Sequence, residues 1–151
     1  MSQVLIIYHS RTGNNEAMAR AVSDGAVSAG ATVVMKKVTE ATGEDIVNCD
    51  AVAFGSPIYY GYMAGVLKDF FDSNTKALRE EIDNKPYVTF SSSGSGKRLT
   101  LESIDNVCEV VNRVSKSTRL KRVCEGIATP GKPSPEVLEE CKELGVKLAT
   151  A

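Results

Sequence analysis

Val4-Leu5-Ile6-Ile7-Tyr8-His9-Ser10-Arg11-Thr12-Gly13-Asn14-Asn15 is an apolar run that empties into a loop of hydroxyls, one guanidinium, one glycine and two amides. A short apolar run rich in β-branched residues is the pattern of a strand buried on both faces. After the loop, Met18, Ala21, Val22, Gly25, Ala26 and Ala29 recur at helical spacing, and Gly30 suits the C-terminal cap. The loop therefore joins a buried strand to a helix N-terminus. Backbone N–H groups at such a terminus, with the helix dipole behind them, form an anion site. Ser10, Thr12 and Asn15 add side-chain donors, Asn14 lies among them, and Gly13 lets the backbone approach closely. Arg11 either pairs an anion or points to solvent. A plain helix cap is the competing reading, because Thr and Asn are common there.

The pattern continues in alternation. Thr32 to Val38 reads as a second strand, and Ala41 to Asn48 as at most a short helix. Ala51 to Phe54 is a third buried strand, stopped by Gly55-Ser56-Pro57. From Met63, the positions Met63, Val66, Leu67, Phe70 and Phe71 share one helical face. Tyr87 to Phe90 is a fourth strand, followed by the loop Ser91 to Gly96. A fourth long helix is marked by Leu101, Ile104, Val107, Cys108 and Val111. A fifth strand is centred on Val123 to Ala128 and ended by Thr129-Pro130-Gly131-Lys132-Pro133. Ser134-Pro135 opens a last helix, with Val137, Leu138, Cys141, Leu144 and Leu148 facing the core. Strand–helix alternation of this kind implies parallel strands with right-handed crossovers, an α/β class, and a single domain over residues 1–151.

Composition closes off other classes. At 42% hydrophobic and 25% charged, with a formal net charge of -1, the chain has no electrostatic footprint for nucleic acid. No apolar run approaches the roughly 18 residues of a membrane helix. The N-terminus lacks the basic region of a signal peptide, so a cytoplasmic address without membrane insertion is expected. Cys49, Cys108, Cys124 and Cys141 form no Cys-x-x-Cys pair, and His9 is the single histidine. Free thiols in a reducing compartment are expected, with no metal site. A lone histidine is assigned no role.

A doubly wound sheet holds its ligand outside the carboxyl ends of its strands. The loops after strands one, three and four should converge there. The second loop, Gly55-Ser56-Pro57-Ile58-Tyr59-Tyr60-Gly61-Tyr62, packs three tyrosines into four positions of a chain only 6% aromatic. Either it stacks on a flat heteroaromatic ligand, gaining about 0.5–1.5 kcal/mol per well-placed ring, or it folds back on the domain. The third loop, Ser91-Ser92-Ser93-Gly94-Ser95-Gly96, offers backbone donors and acceptors to the polar edge of such a ring, or is a plain surface loop. Gly96-Lys97 is not a nucleoside-triphosphate loop, because Ser91 replaces its first glycine and Arg98 its final hydroxyl. A phosphorylation receiver would want acidic residues where His9-Ser10 and Gly55-Ser56 stand. A low-molecular-weight phosphatase would want a cysteine in the first loop. The residues ask for a single phosphate at one end and a flat ring at the other.

Tyr8-x-Ser10-x-Thr12-Gly13, followed by Met18-Ala19-Arg20-Ala21-Val22, resembles the phosphate loop and first helix of the flavodoxin-like FMN-binding family. Gly55-Ser56-Pro57-x-x-Tyr60-Gly61-x-Met63-x-Gly65-x-x-Lys68-x-Phe70-x-Asp72 is similar to the flavin loop and third helix of the flavodoxin-like NAD(P)H:quinone reductases. The resemblance implies a three-layer sandwich with a five-stranded parallel sheet in the order 2-1-3-4-5. It implies FMN as cofactor, with the phosphate on Ser10 to Asn15, the isoalloxazine along Pro57 to Gly61 with Ser56 also in the cofactor site, and the ribityl or pyrimidine side on Ser91 to Gly96. It also implies a rotatable peptide at Tyr60-Gly61 beside the flavin N5. Lys97-Arg98-Leu99 stands where the reductases carry Gly-Gly-Gln, and the chain is shorter than that branch. It is also less acidic than electron-carrier flavodoxins tend to be. Electron transfer between redox partner proteins is the first function implied. FMN-dependent reduction of a quinone by a nicotinamide is the second, and a flavin-free binding domain on the same fold the third.

Overall fold

A computed structural model describes residues 2–151. The strand β1 (Gln3–Tyr8) is followed by α1 (Asn14–Ser28), β2 (Thr32–Lys37), a 3-10 turn (Val38–Glu40), α2 (Gly43–Asn48) and β3 (Ala51–Gly55). A small hairpin, β4 (Ile58–Tyr59) and β5 (Tyr62–Met63), leads into α3 (Gly65–Ser73) and one π-helical turn (Ala77–Glu81). Then come β6 (Lys85–Ser93), α4 (Leu99–Ser115), β7 (Leu120–Arg122), β8 (Ile127–Pro130) and α5 (Pro135–Ala149).

The main sheet is parallel throughout, in the order β2-β1-β3-β6, with β7 and β8 both beside β6. This is the expected five-position sheet in the order 2-1-3-4-5, with its last position shared by two short strands. All five residues of β3 and the last five of β1 are buried, as their unbroken apolar runs require. One apolar cluster joins Met18, Val22 and Ala26 of α1 and Cys141, Leu144 and Leu148 of α5 to Val4 and Ile6 of the sheet. The other joins Ile46 of α2, Leu67 and Phe71 of α3 and Ile104 of α4 to Leu5, Val52 and Phe54. Side chains that alternate along each strand thus feed two helical layers.

The short helix α2 is fixed at both ends. Thr42 Oγ1 accepts from the Asp45 amide (3.3 Å) while Asp45 Oδ2 accepts from the Thr42 amide (2.8 Å), a capping box. At the other end, the ammonium of Lys85 donates to the carbonyls of Ile46 (2.8 Å), Val47 (3.1 Å) and Cys49.

Three boundaries differ from expectation. The fifth strand is not continuous over Val123 to Ala128: residues 123–126 leave the ladder between β7 and β8. The chain crosses β6 so closely there that a Cβ on Gly126 would lie 2.1 Å from Thr89 Oγ1. β6 runs on through Ser93, because its far end pairs with β8 from Phe90↔Ile127 to Ser93↔Pro130. Ser91, Ser92 and Ser93 are therefore strand residues, and the third loop begins at Gly94. Finally, Met63 belongs to the β4–β5 hairpin, and α3 starts at Gly65.

Candidate functional site

Because the strands are parallel, the segments after β1, β3, β6 and β8 all emerge at one edge. A cleft of about 300 Å³ lies between them, lined by Arg11, Thr12, Asn14 and Asn15, by Pro57, Ile58 and Tyr59, by Ser92, Ser93 and Gly94, and by Gly131.

Gly13 is the N-cap of α1, in the left-handed region (φ 93°), and no side chain caps the helix. Its first amides are open to an anion rather than consumed by a Thr or Asn cap. Ser10 Oγ accepts from the Gly13 amide (3.1 Å) and so shapes the turn. Arg11 lies over the Tyr59 ring, 5.3 Å from its centre. The Asn15 side chain serves differently from the donor role expected of it. It is 4% exposed, donates to Ser92 O (3.0 Å) and accepts from the Ser92 amide (2.9 Å), tying the first loop to β6. Only its backbone N–H remains on the anion side.

Ser56 lies beneath the tyrosine loop, fully buried, accepting from the Ala64 amide (2.8 Å) and donating to Pro57 O (2.9 Å). Pro57, Ile58 and Tyr59 form a wall of the cleft. Tyr60 is fully exposed, with φ at 52°, and Gly61 follows at 77°. In the third segment, Ser92 Oγ donates to Gly131 O and Ser93 Oγ accepts from the Gly96 amide (3.1 Å). Ser95 and Gly96 stand outside the lining, and Ser95 Oγ accepts from the Lys97 amide (3.3 Å). Ser91 precedes the lining residue Ser92 and is buried, with a hydroxyl that has no partner among the described residues. Arg98 is turned away, donating to Gly126 O (2.7 Å).

Two participants were not foreseen. Gly131 arrives from the loop read only as a strand breaker. A fifth parallel strand had to deliver its carboxyl end to the same edge, so the signal was present. His9 packs edge-on to Tyr59, with ring centres 6.0 Å apart. Partial burial, and then the nearby charge of Arg11, lower its pKa from the ordinary histidine value. The four cysteines are free, and burial pushes the thiols of Cys49 up to about 11 and Cys141 up to about 12. No cluster of potential metal ligands and no helix long and apolar enough to cross a membrane occurs among the described residues.

The lining fits FMN. An uncapped helix N-terminus, hydroxyls and the Pro57-to-Tyr59 wall share one cleft, and no carboxylate lines it to repel a phosphate. A protein-family model described as a flavodoxin domain matches residues 5–127. A flavodoxin of Aquifex aeolicus is 39% identical, covering 99% of this chain and 86% of that protein. An NAD(P)H dehydrogenase (quinone) of Archaeoglobus fulgidus is 29% identical, covering 99% and 96%. Among solved structures, a flavodoxin from the Archaea superposes with a TM-score of 0.81 at 23% identity, covering 98% of this chain and 96% of that one. Two-electron reduced Megasphaera elsdenii flavodoxin does so at 0.73 and 27%, covering 98% and 99%. By the family model, the near-complete sequence match and the parallel sheet with its three converging loops, this chain belongs to the flavodoxin family.

Proposed function

We propose that this flavodoxin carries electrons between redox partner proteins, with its FMN in the cleft between β1, β3 and β6. Bound FMN supplies a ring that accepts and gives electrons. The protein supplies binding, ring orientation and the electrostatics that set the potential. In this reading the open amides of α1, with Ser10, Arg11, Thr12, Gly13 and Asn14, hold the phosphate. Pro57 to Gly61 flank the isoalloxazine, with Tyr59 and Tyr60 as its aromatic neighbours. The end of β6 and the turn after it, Ser91 to Gly96, present backbone groups to the ribityl chain and the polar ring edge. Asn15 and Ser56 act from beneath, by fixing the segments that make contact. The cytoplasmic address rests on the four unpaired thiols.

The observation that carries the reading is one cleft that brings the uncapped start of α1 and the Tyr59 ring together. Arg98 is engaged with Gly126 O, which leaves exposed Lys97 as the cation of the third segment without a partner among the described residues. That arrangement favours a carrier over a nicotinamide-dependent enzyme, the second reading raised by the Archaeoglobus relative. Purified protein should be yellow, release FMN on denaturation, and oxidise no NAD(P)H in the presence of a quinone. Steady NAD(P)H oxidation would replace the carrier with a quinone reductase. A colourless protein that refuses added FMN would overturn both.

A further inference from the structure

We propose that the trough between α3 and α4 docks a helix of the redox partner, one with an apolar ridge and acidic flanks. Calling that partner a redox protein rests on the carrier reading; the trough itself does not.

The two helical layers differ in what they expose. Six of the eight large apolar side chains exposed among the described residues belong to the α3–α4 layer or to the hairpin that leads into it: Tyr60, Tyr62, Val66, Leu99, Val110 and Val114. The α1–α5 layer has Val27 and Val146. Exposed apolar groups gathered on one face mark an interaction surface, whereas scattered ones do not. On α4 they are ordered. Val107, Val110, Val111 and Val114 recur at the i, i+3, i+4, i+7 spacing of one helix face. Val107 and Val111 lean on the core, while Val110 (37% exposed) and Val114 (46% exposed) stand clear of it.

These valines face Phe71 of α3 and Leu78 of the π-helical turn across a cavity of about 300 Å³, which Tyr62 of the hairpin also lines. A second cavity of about 670 Å³ shares Thr75, Arg79 and Val114 with the first and extends to Lys76 and Arg119. Together they form an open trough along α4 with an apolar floor, the shape that takes an amphipathic helix. Its charge selects the flanks of that helix. Lys68 and Asp72 pair with each other (2.6 Å) and cancel. Lys76, Arg79 and Arg119 have no carboxylate partner among the described residues, and Glu80 is the other carboxylate of the two linings. Arg119 is held in place by donating to Ile82 O (2.9 Å). The trough is therefore net positive in a chain whose formal net charge is -1. Glutamates beside an apolar ridge complement it, and a basic helix is repelled. A helix seated there sets its protein against the hairpin whose Tyr59 lines the cofactor cleft, without using the residues that hold FMN.

The test titrates apo and FMN-loaded protein with a labelled synthetic helical peptide that has leucines at i, i+3, i+4, i+7 and glutamates on both flanks. A second peptide has lysines in place of the glutamates. Fluorescence anisotropy gives affinity, and amide NMR shifts give the place of binding. The glutamate peptide should bind both forms of the protein, shift the Val110 and Val114 amides but not those of Val27 and Val146, and bind more weakly as salt rises. Arg79→Glu should weaken it on the order of tenfold and strengthen the lysine peptide. Val110→Ser/Val114→Ser should also weaken it on the order of tenfold, with urea unfolding to check that each variant keeps the wild-type fold. Equal affinity for the two peptides, or binding indifferent to both variants, overturns the docking site. A wild-type dimer in sedimentation that Val110→Ser/Val114→Ser dissociates also overturns it, because the trough then holds a second copy. Uptake of anilinonaphthalene sulfonate by the trough with no binding of the peptide overturns it in favour of a small amphiphile. A protein that binds the peptide but takes up no FMN upholds the helix site and overturns the carrier reading.

Discussion

Asn15 is the residue whose replacement separates the architecture of the site from its charge. Its side-chain amide makes two bonds to one peptide, donating to Ser92 O at 3.0 Å and accepting from the Ser92 amide at 2.9 Å. Asn15→Ala strands a buried donor and a buried acceptor. Each unpaired group costs about 1–3 kcal/mol, and water from the adjacent cleft recovers part of that, so the net is about 2–4 kcal/mol. In a chain of this size that lowers the melting temperature by about 4–16 °C. Asn15→Asp keeps the acceptor for the Ser92 amide, loses the donor, and sets a carboxylate at the first turn of α1. The helix dipole gains about 0.3–1 kcal/mol from it, whereas a phosphate at the same amides is repelled. Melting of the apo forms measures the first effect, and quenching of FMN fluorescence on titration measures the second. The expected pattern is a less stable Asn15→Ala, and an Asn15→Asp that binds FMN at least tenfold more weakly than Asn15→Ala, or about 1.4 kcal/mol. An apo Asn15→Ala that melts with the wild type refutes the tie between the loops. Equal FMN affinity in the two variants refutes a phosphate at the α1 N-terminus.

Gly126→Ala places a Cβ 2.1 Å from Thr89 Oγ1 and 2.5 Å from Thr89 O, so β8 must shift from β6. A loss of about 1–3 kcal/mol in urea unfolding is expected, and an unchanged midpoint would mean the crossing is looser than described. The lowered pKa of His9 means that the folded chain takes up this proton less readily than the unfolded chain. The contribution of neutral His9 is therefore complete above about pH 6.5 and is lost as the pH falls through the lower folded value. Apo wild type should lose more melting temperature between pH 7.5 and pH 5 than apo His9→Gln; parallel curves would contradict this.

The strand–helix alternation was legible because central parallel strands are apolar on both faces, as in Val4 to Tyr8 and Ala51 to Phe54. The loops that converge were legible for the same topological reason. Less readable was where a strand stops. Ser91-Ser92-Ser93 looks like loop by composition, yet β8 extends beside it and turns those serines into ladder residues. The break at residues 123–126 depends on a contact between Gly126 and Thr89, 37 positions apart, which no local pattern carries. The roles inside the site were legible as chemistry but not as assignment. Asn15 and Ser56 are polar because the cleft needs polar groups, and only the packed structure shows their side chains spent on the backbone beneath it.

Of the nine buried polar or charged residues among those described, eight lie towards the carboxyl end of the sheet or in the segments that close it: Asn15, Ser56, Thr89, Ser91, Ser92, Thr100, Ser103 and Thr129. Lys85, at the other end, is spent on capping α2. Asn15, Ser56, Ser92, Thr100 and Ser103 make side-chain hydrogen bonds, but Thr89 Oγ1 and Ser91 Oγ are buried without a partner among the described residues. An unpaired buried hydroxyl costs about 1–3 kcal/mol, so the apo fold would be steadier with an alanine at position 91. Keeping the serine makes sense if its partner arrives with the FMN. Ser91→Ala should then move the two properties in opposite directions: apo melting unchanged or raised, FMN affinity lowered several-fold. Calorimetric melting of the apo form and FMN titration on the same preparation decide it. A Ser91→Ala that weakens the apo protein while binding FMN normally would show that the hydroxyl already has its partner in the protein, and that this stretch of β6 serves the core and not the cofactor.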